Sequence, residues 1–547
     1  MSTSSASTAT TIDVDLGIES GNFAETVRLR RNWVVIVGIA IAAMTVLALQ
    51  AFLHSHFSAV DEYDDGVYFG ASIELLHGIM PYRDFAFIQP PMITVWMLPF
   101  AALSPLTGTA VAMEAGRFFV DLVTVANVVL VGALVRRRST LQVTVATGVM
   151  AFSQGTIRSS QTILLEPFVV LACLIAFLCL MEGERVTTSP RRILMCGVFL
   201  GVGGATKVWA VLPLAGALIV LSPSGLRALR RLIGGAVIGF TLCSLPFIIA
   251  APFAFFRQVV VTQAIRNGGG LPLPERLADL TGIPGLSSLI TNHRGLGTFM
   301  LAPVLLIGIG IVLVCWTDRE RRTWSPLELL AIWGTLFVGV SLLLSPTYYY
   351  HYSGFMAPFI ALVASSLVAR LRVPICRIFS VRSFFFPTLL AWFAMPLIIA
   401  VMLGAIIVEV VDLPVAPQVG DAVSDAIPRH GCVLYANQTL ALLDNRFTSD
   451  VSGCPNVIDW LGQERVLDDG YSASLSDIRN RGLQKVMGRW IDSSEAVVLE
   501  RSDFGLDDSN MSYLHAHFKR EADLPRGLRI YMRAFGHRHS VVSSDDL

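Results

Sequence analysis

The sequence predicts a polytopic α-helical membrane protein of about eleven spans, carrying a small extracytoplasmic α/β domain at its C-terminal end. Three observations predict it. The 547 residues are 54% hydrophobic and only 15% charged, with a mean hydropathy of +0.62, whereas a soluble domain carries about 25% charge. Apolar runs long enough for a ~30 Å hydrocarbon core recur along most of the chain. Arginines gather in every second loop between them, as the positive-inside rule asks. A cytosolic enzyme and a disordered scaffold are excluded. Forty-one basic residues balance forty-one acidic ones, so no net field recruits nucleic acid. The eight cysteines include no C-x-x-C pair, which leaves no zinc-type cluster.

Residues 1–32 are polar, small and acidic, and no charged segment leads at once into an apolar core, so they are not a secretory signal. They read as a disordered cytosolic tail ending in Arg28, Arg30 and Arg31. Spans follow near 33–53, 109–135, 141–156, 164–181, 193–206, 208–222, 232–251, 297–316, 326–345, 354–370 and 384–411. The segments 141–156 and 193–206 are short for a full crossing. Charge decides the count: with eleven spans, Arg136–Arg138, Arg185, Arg191, Arg192, Arg227, Arg230, Arg231 and the later clusters all fall on the cytosolic side. Fusing 193–222 into one span would break that pattern. The N-terminus is then inside and the C-terminus outside, in the plasma membrane.

Two segments stand on the outer face, a loop at 54–108 and a tail at 412–547. In the tail, GCVLYA, EAVVLE and LRIYMRAF read as strands and SDIRNRGLQKVMGRW as an amphipathic helix, giving an α/β domain. Cys432 and Cys454 are its two cysteines, on the oxidising side, and are expected to form a disulfide.

Chemistry concentrates in the loop. Residues 61–91 hold Asp61, Glu62, Asp64, Asp65, Glu74 and Asp84 against one base, Arg83. Tyr68, Ser72, Leu75 and Leu76 recur at helical spacing, so 64–77 reads as an amphipathic helix on the bilayer surface, capped by Gly78 and stopped before Pro81. Asp64 and Asp65 fall in its first turn, where the helix dipole favours carboxylates. Such acids are ordinarily solvated caps. Against a membrane their mutual repulsion needs a compensating ligand: a cation, a metal ion or a hydrogen-bonded sugar. A carboxylate pressed between lipid and protein also gains basicity, as general-base chemistry on a sugar hydroxyl requires. Asp64 and Asp65 have the oxygen chemistry of a Mg, Mn or Ca site, although no spacing demands one.

This stretch resembles the first outer loop of the GT-C superfamily of membrane glycosyltransferases. Protein O-mannosyltransferases and the lipid A aminoarabinose transferase carry an Asp-Glu pair, a Tyr at the fourth position and then small residues. Asp64, Asp65, Tyr68 and Ala71 match that spacing with Asp replacing Glu. Pro90–Pro91 matches the dipeptide that opens a membrane-surface helix in that family. The Asp-Asp form and the tail's Cys432, Asn445–Arg446–Phe447, Cys454–Pro455 and Asp459 are similar to those of actinobacterial arabinofuranosyltransferases. The resemblance implies that Asp64 is the catalytic base and Asp65 its partner. Asp61–Glu62 is a rival register lacking the Tyr, with Asp84 as a further supporting acid.

A prenyl-phosphate donor needs cations at the outer interface and lipid access for its tail. Lys207 lies in the turn between two short spans, and His351 where the ninth span meets the tenth, within Tyr348–Tyr352. They are the first choices for donor contacts. Arg257 and Arg266 come next, with Tyr68, Tyr349 and Glu166 lining the same face and Arg158, Arg276 and Arg294 nearby. Taken singly, each has an ordinary reading: an aromatic belt for the tyrosines, snorkelling for the bases. Together they mark a site, because polar groups at membrane depth are costly. Arg117 and Asp121, one helical turn apart, are expected to pair and to support the acidic loop.

The leading expectation is an inverting hexosyl- or pentosyltransferase, mannosyl or arabinosyl, serving cell-wall biogenesis. Asp64 would deprotonate a lipid, glycan or protein acceptor, and a prenyl phosphate would leave. No cofactor is required, and a divalent cation can be accommodated. A flippase for lipid-linked sugars would need midplane polar groups and an internal repeat, and no repeat is evident. A noncatalytic relative whose outer domain binds glycan is the third alternative.

Overall fold

A computed structural model describes residues 9–53, 56–60, 62–265, 269–283, 286–292, 295, 301, 323–378, 419–427, 431–449, 451–467, 481–500, 505–524 and 527–534. Among them, five helices are long and apolar enough to cross a membrane, within Glu25–Phe52, Thr109–Val135, Leu226–Ala250, Pro326–Leu344 and Tyr350–Val368. Shorter apolar helices, among them Thr140–Phe152 and Glu166–Leu180, pack between them. The chain is a multi-pass membrane protein. The expected spans 297–316 and 384–411 lie outside the described residues, apart from Leu301.

Helix α1 runs over Ala9–Leu53. Residues 9–32, expected as a disordered tail, are therefore helical from Ala9 onward. Extending a helix from a nucleated apolar span adds one hydrogen bond per residue without a new nucleation cost, so a polar overhang can follow the span.

Helix α2 (Tyr63–Leu76) is followed by α3 (Met92–Ala101) directly after Pro91, and by the long α4 (Thr109–Val135). Gly78 ends α2 with a positive φ of 79°, its N–H donating to the Leu75 carbonyl at 3.1 Å. Expectation and structure differ on where α2 lies. Every residue from Asp65 to Glu74 is buried, so α2 is an enclosed helix, not one resting on the bilayer surface. Its second side is covered by the C-terminal domain. Gly66 and Gly70, one turn apart, make that approach feasible: a Cβ on Gly66 would stand 2.2 Å from the Thr439 nitrogen, and one on Gly70 2.7 Å from the Phe447 ring.

The next elements are α5 (Thr140–Phe152), α6 (Gln154–Ser160), α7 (Glu166–Leu180), α8 (Pro190–Thr206), α9 (Val211–Leu221) and α10 (Leu226–Ala250). Lys207 breaks α8 from α9 in an extended conformation, φ −149° and ψ 127°, which turns its side chain out of either helix. Beyond α11 (Leu273–Leu280) come α12 (Pro326–Leu344), the Tyr350–Tyr352 turn and α13 (Ser353–Ile378).

The C-terminal domain holds a four-stranded sheet in the order β1-β2-β4-β3: β1 Val433–Tyr435, β2 Ala496–Glu500, β3 Phe518–Leu524 and β4 Leu528–Arg533. β1 and β2 are parallel and the remaining pairs antiparallel. The helix Gln438–Leu443 (α14) faces α2, and Arg481–Asp492 (α15) packs on the sheet's other face through Leu483 and Met487. β3 has no counterpart in the sequence reading: FKREADL alternates poorly, and its place comes from pairing with β4. Cys432 and Cys454 form a disulfide.

Two cores result. One joins the spans through residues such as Ile36, Val131, Phe177 and Phe359. The other joins α2, α3, the adjoining half of α4 and the inner face of the C-terminal sheet through Phe69, Ile93, Val120, Leu440 and Ile530. Each large side chain withdrawn from water in the second core stabilises by about 1.5–3 kcal/mol.

Candidate functional site

The two neighbouring acids of α2 have opposite environments. Asp65 is fully buried. Arg117 and the Thr162 hydroxyl both donate to its Oδ2, and the Thr439 hydroxyl donates to its Oδ1 at 2.5 Å. Arg117 also reaches the Phe57 carbonyl at 2.7 Å. Asp64 is only half-buried and takes one donor, the Tyr68 hydroxyl at 3.2 Å. Burial, followed by the charges of Asp64 and Glu166, pushes the Tyr68 phenol well above its usual range, so it stays a proton donor.

Within electrostatic reach of Tyr68 and Glu62, the neighbours of Asp64, is a buried charge cluster. Glu166, at the start of α7 and 1% exposed, accepts Lys207 Nζ on Oε1 at 2.5 Å and lies 3.2 Å from His351 Nδ1 through Oε2. Lys207 Nζ also sits over the rings of Trp209 and Tyr352, 3.8 and 4.2 Å from their centroids. These faces are electron-rich and hold a cation with little water. Tyr349 stacks on His351 at 5.9 Å. Glu62 joins from the Asp64 side, accepting the Tyr350 hydroxyl at 2.9 Å. Burial raises the Glu62 carboxyl, with His351 opposing and Asp64 and Asp65 adding to the rise. Glu62, Asp64, Tyr68, Glu166, Lys207, Tyr349 and His351 thus converge, drawn from four separate parts of the chain.

Other expected residues stand elsewhere. Asp84 closes a local turn, paired with Arg83 at 2.7 Å and accepting the Met80 N–H at 2.6 Å; that pairing lowers its carboxyl and removes it as a supporting acid. Arg257 is exposed on a π-helical turn, while its neighbour Gln258 accepts the Phe87 N–H at 2.8 Å. Asp61 and Arg266, like Arg294, lie outside the described residues. Arg117 turns to Asp65 instead of the expected Asp121, because a helix-internal pair would leave the buried Asp65 uncompensated. Its support of the acidic loop is direct. Among the described residues no group of three or more His, Cys, Asp or Glu side chains is placed to hold a metal ion. With both oxygens of Asp65 engaged, the Asp64–Asp65 pair offers only Asp64 to a ligand.

Several contributors carried no sequence signal. Thr439 is 374 residues from Asp65. Asp279 on α11 is fully buried and accepts the Tyr348 hydroxyl at 2.7 Å; burial lifts its carboxyl to about 6. Trp209 had a visible cue, two residues after Lys207 in TKVW.

Beside Lys207 lies a largely apolar cavity of about 290 Å³, lined by Trp209, Val259, Val260, Gln263 and Tyr352 among others. A buried acid–base cluster, the part-exposed carboxylates of Glu62 and Asp64, and an adjoining largely apolar cavity thus lie together.

Parts of the sequence and the fold as a whole are similar to known proteins. Residues 101–259 match the family model of dolichyl-phosphate-mannose-protein mannosyltransferase. The fold is shared with the crystal structure of ArnT from Cupriavidus metallidurans bound to undecaprenyl phosphate, at 14% identity and TM-score 0.56 over 91% of this chain and 97% of that one. The apo state of the same protein gives 13% identity and TM-score 0.58 over 92% and 98%. No curated protein matches the sequence. The GT-C resemblance read from the acidic loop is met by these findings at the level of fold and of the 101–259 segment.

Proposed function

We propose that the protein is a glycosyltransferase that moves a monosaccharide from a polyprenyl-phosphate donor to a cell-envelope acceptor on the outer face of the plasma membrane. The N-terminus is cytosolic and the C-terminal domain extracytoplasmic. The observation that carries the reading is the asymmetry of the α2 acids: Asp65 is saturated by three donors, and Asp64 is left half-open, joined to the Lys207–Glu166–His351 cluster through its neighbours Tyr68 and Glu62. In this scheme Asp64 takes the proton of the acceptor hydroxyl, whose oxygen attacks the anomeric carbon. The bond from that carbon to the phosphate oxygen breaks, and the phosphate leaves with the electron pair. Attack opposite the leaving group inverts the anomeric centre.

Glu166 keeps Lys207 and His351 in place before the donor arrives, and the phosphate then shares those cations. Fixed charges cost no reorganisation at the moment of reaction. The apolar cavity beside Trp209 suits the first isoprene units. A phosphate leaves without protonation, so no cofactor is required, and a Mg, Mn or Ca ion would have to be held through Asp64. Glu62 remains the second acid within reach.

The test is transfer from labelled polyprenyl-phosphate mannose or arabinofuranose in membranes, wild type against Asp64→Asn. Loss of the glycosidic product is expected. Unchanged transfer in the variant removes Asp64 as base, and movement of intact lipid-linked sugar without a new bond favours a flippase.

A further inference from the structure

A second cavity, of about 380 Å³, lies between the C-terminal half of α2 and the C-terminal domain. No residue of the proposed reaction lines it. Glu74 of α2, which lines it together with His77 just past the helix end, is ten residues beyond Asp64, or ~15 Å along the helix. We propose that this cavity is a binding site for a neutral sugar unit, engaging an acceptor glycan at a distance from the reacting hydroxyl. The word acceptor rests on the transferase reading; the sugar-binding site does not.

The chemistry of the walls selects the ligand. Glu74, 4% exposed, accepts the Asn456 amide at 2.5 Å. This sets a carboxylate acceptor beside an amide that both donates and accepts. Adjacent sugar hydroxyls, each donor and acceptor at once, match that pairing. Burial pushes the Glu74 carboxyl up, so a hydrogen-bonding ligand relieves a desolvated group. Phe447 supplies an apolar wall for a ring face. The one guanidinium on the lining is already engaged: Arg446 lies 3.4 Å from Asp444 and donates to the Ile427 carbonyl at 3.3 Å. Glu74 beside it repels anions. A phosphate or sulfate is therefore a poor occupant, and a polyol a good one.

The walls are also fixed in advance. The Cys432–Cys454 disulfide ties the Pro455–Asn456 wall to the start of β1, and Gly70 lets Phe447 sit directly on α2. Rigid walls lower the ordering cost of a weak ligand.

The experiment uses the full chain in detergent and saturation-transfer NMR with methyl α-D-mannopyranoside, methyl α-D-arabinofuranoside and inorganic phosphate. Sugar signals without a phosphate response are expected. They are expected to vanish in Asn456→Ala and in Thr448→Trp, the latter filling the mouth from an exposed rim position without touching the Glu74–Asn456 pair. In a transfer assay either variant should raise the acceptor KM by about tenfold, with a far smaller change in kcat. Equal sugar binding in wild type and both variants overturns the site. Sugar binding lost without any rise in acceptor KM, while transfer proceeds, overturns its acceptor role and leaves the transferase standing. Binding intact with no transfer by the wild type overturns the transferase reading and leaves the sugar site.

Discussion

Asp64→Asn and Asp65→Asn should fail in different ways, although they change adjacent residues by the same atom. In Asp65→Asn the Arg117 guanidinium, whose side chain has no exposed surface, loses its counter-charge. The Thr162 and Thr439 hydroxyls also lose the oxyanion that holds them. Removing one partner from a buried ion pair costs about 3–5 kcal/mol, because the surviving charge has neither water nor a counter-charge. Asp64 has only the Tyr68 hydroxyl and partial access to solvent, so its substitution should cost no more than about 1 kcal/mol. The assay is the midpoint of heat-induced aggregation in detergent, followed by size exclusion, alongside sugar transfer. Asp65→Asn should lower the midpoint sharply and lose activity with the folded fraction; Asp64→Asn should keep its midpoint and lose activity outright. If Asp65→Asn is as stable as wild type yet inactive, the anchor role of Asp65 is wrong. If Asp64→Asn is the destabilised one, the base assignment falls.

Three further outcomes follow from the same contacts. Lys207→Met and Glu166→Gln should each destabilise by about 3–5 kcal/mol, and the double variant should recover part of that loss, as a thermal double-mutant cycle would show. Reducing Cys432–Cys454, 22 residues apart, should cost the C-terminal domain about 3 kcal/mol, seen as earlier proteolysis of that domain. Asp279 carries a carboxyl raised to about 6 from about 3.9 in an unfolded chain. Its folded state binds the proton more tightly, so its contribution is fully present below pH 4 and is lost as pH rises through about 6. The shift of roughly two units is about 3 kcal/mol. Asp279→Asn should flatten the fall in melting temperature over that window, and an unchanged slope would remove Asp279 as its source.

What the sequence disclosed and what it hid follow one physical division. Periodicity and arginine placement are local, so the long apolar helices such as Thr109–Val135, Leu226–Ala250, Pro326–Leu344 and Ser353–Ile378, and the strands Val433–Tyr435, Ala496–Glu500 and Leu528–Arg533, were readable from runs of residues. The convergence of Lys207, Glu166 and His351 was legible as a shared face, because each stands at a helix end where a buried charge must find a partner. Pairing was not legible. Arg117 has Asp121 at helical spacing, yet a three-dimensional neighbour, Asp65, competes for it and wins. The burial of α2 was missed for a related reason. A face carrying Gly66, Gly70 and Glu74 looks polar and weakly apolar in sequence, and only the approach of Thr439, Phe447 and Asn456 makes it an interior.

The contacts of the C-terminal domain argue that it belongs to the site and is more than a tethered accessory. Its Thr439 supplies one of the three donors on Asp65. Its Asp459 accepts the Tyr63 hydroxyl at 3.1 Å, at the first residue of α2. Asn445, in a left-handed turn with φ 56°, accepts the Ala110 N–H at 3.1 Å, and the Thr109 hydroxyl donates to the Leu442 carbonyl at 2.6 Å. One short segment, 438–447, therefore satisfies the open N-terminus of α4 and a buried acid of α2 together. Those two helices carry the Asp65–Arg117 pair, and the position of Asp64 depends on both. Loosening the domain should shift Asp64 relative to Lys207 before it unfolds any span, because the spans keep a separate core. Geometry at the carboxylate is thus set by the C-terminal domain, and the buried cations near it are set by the apolar helices.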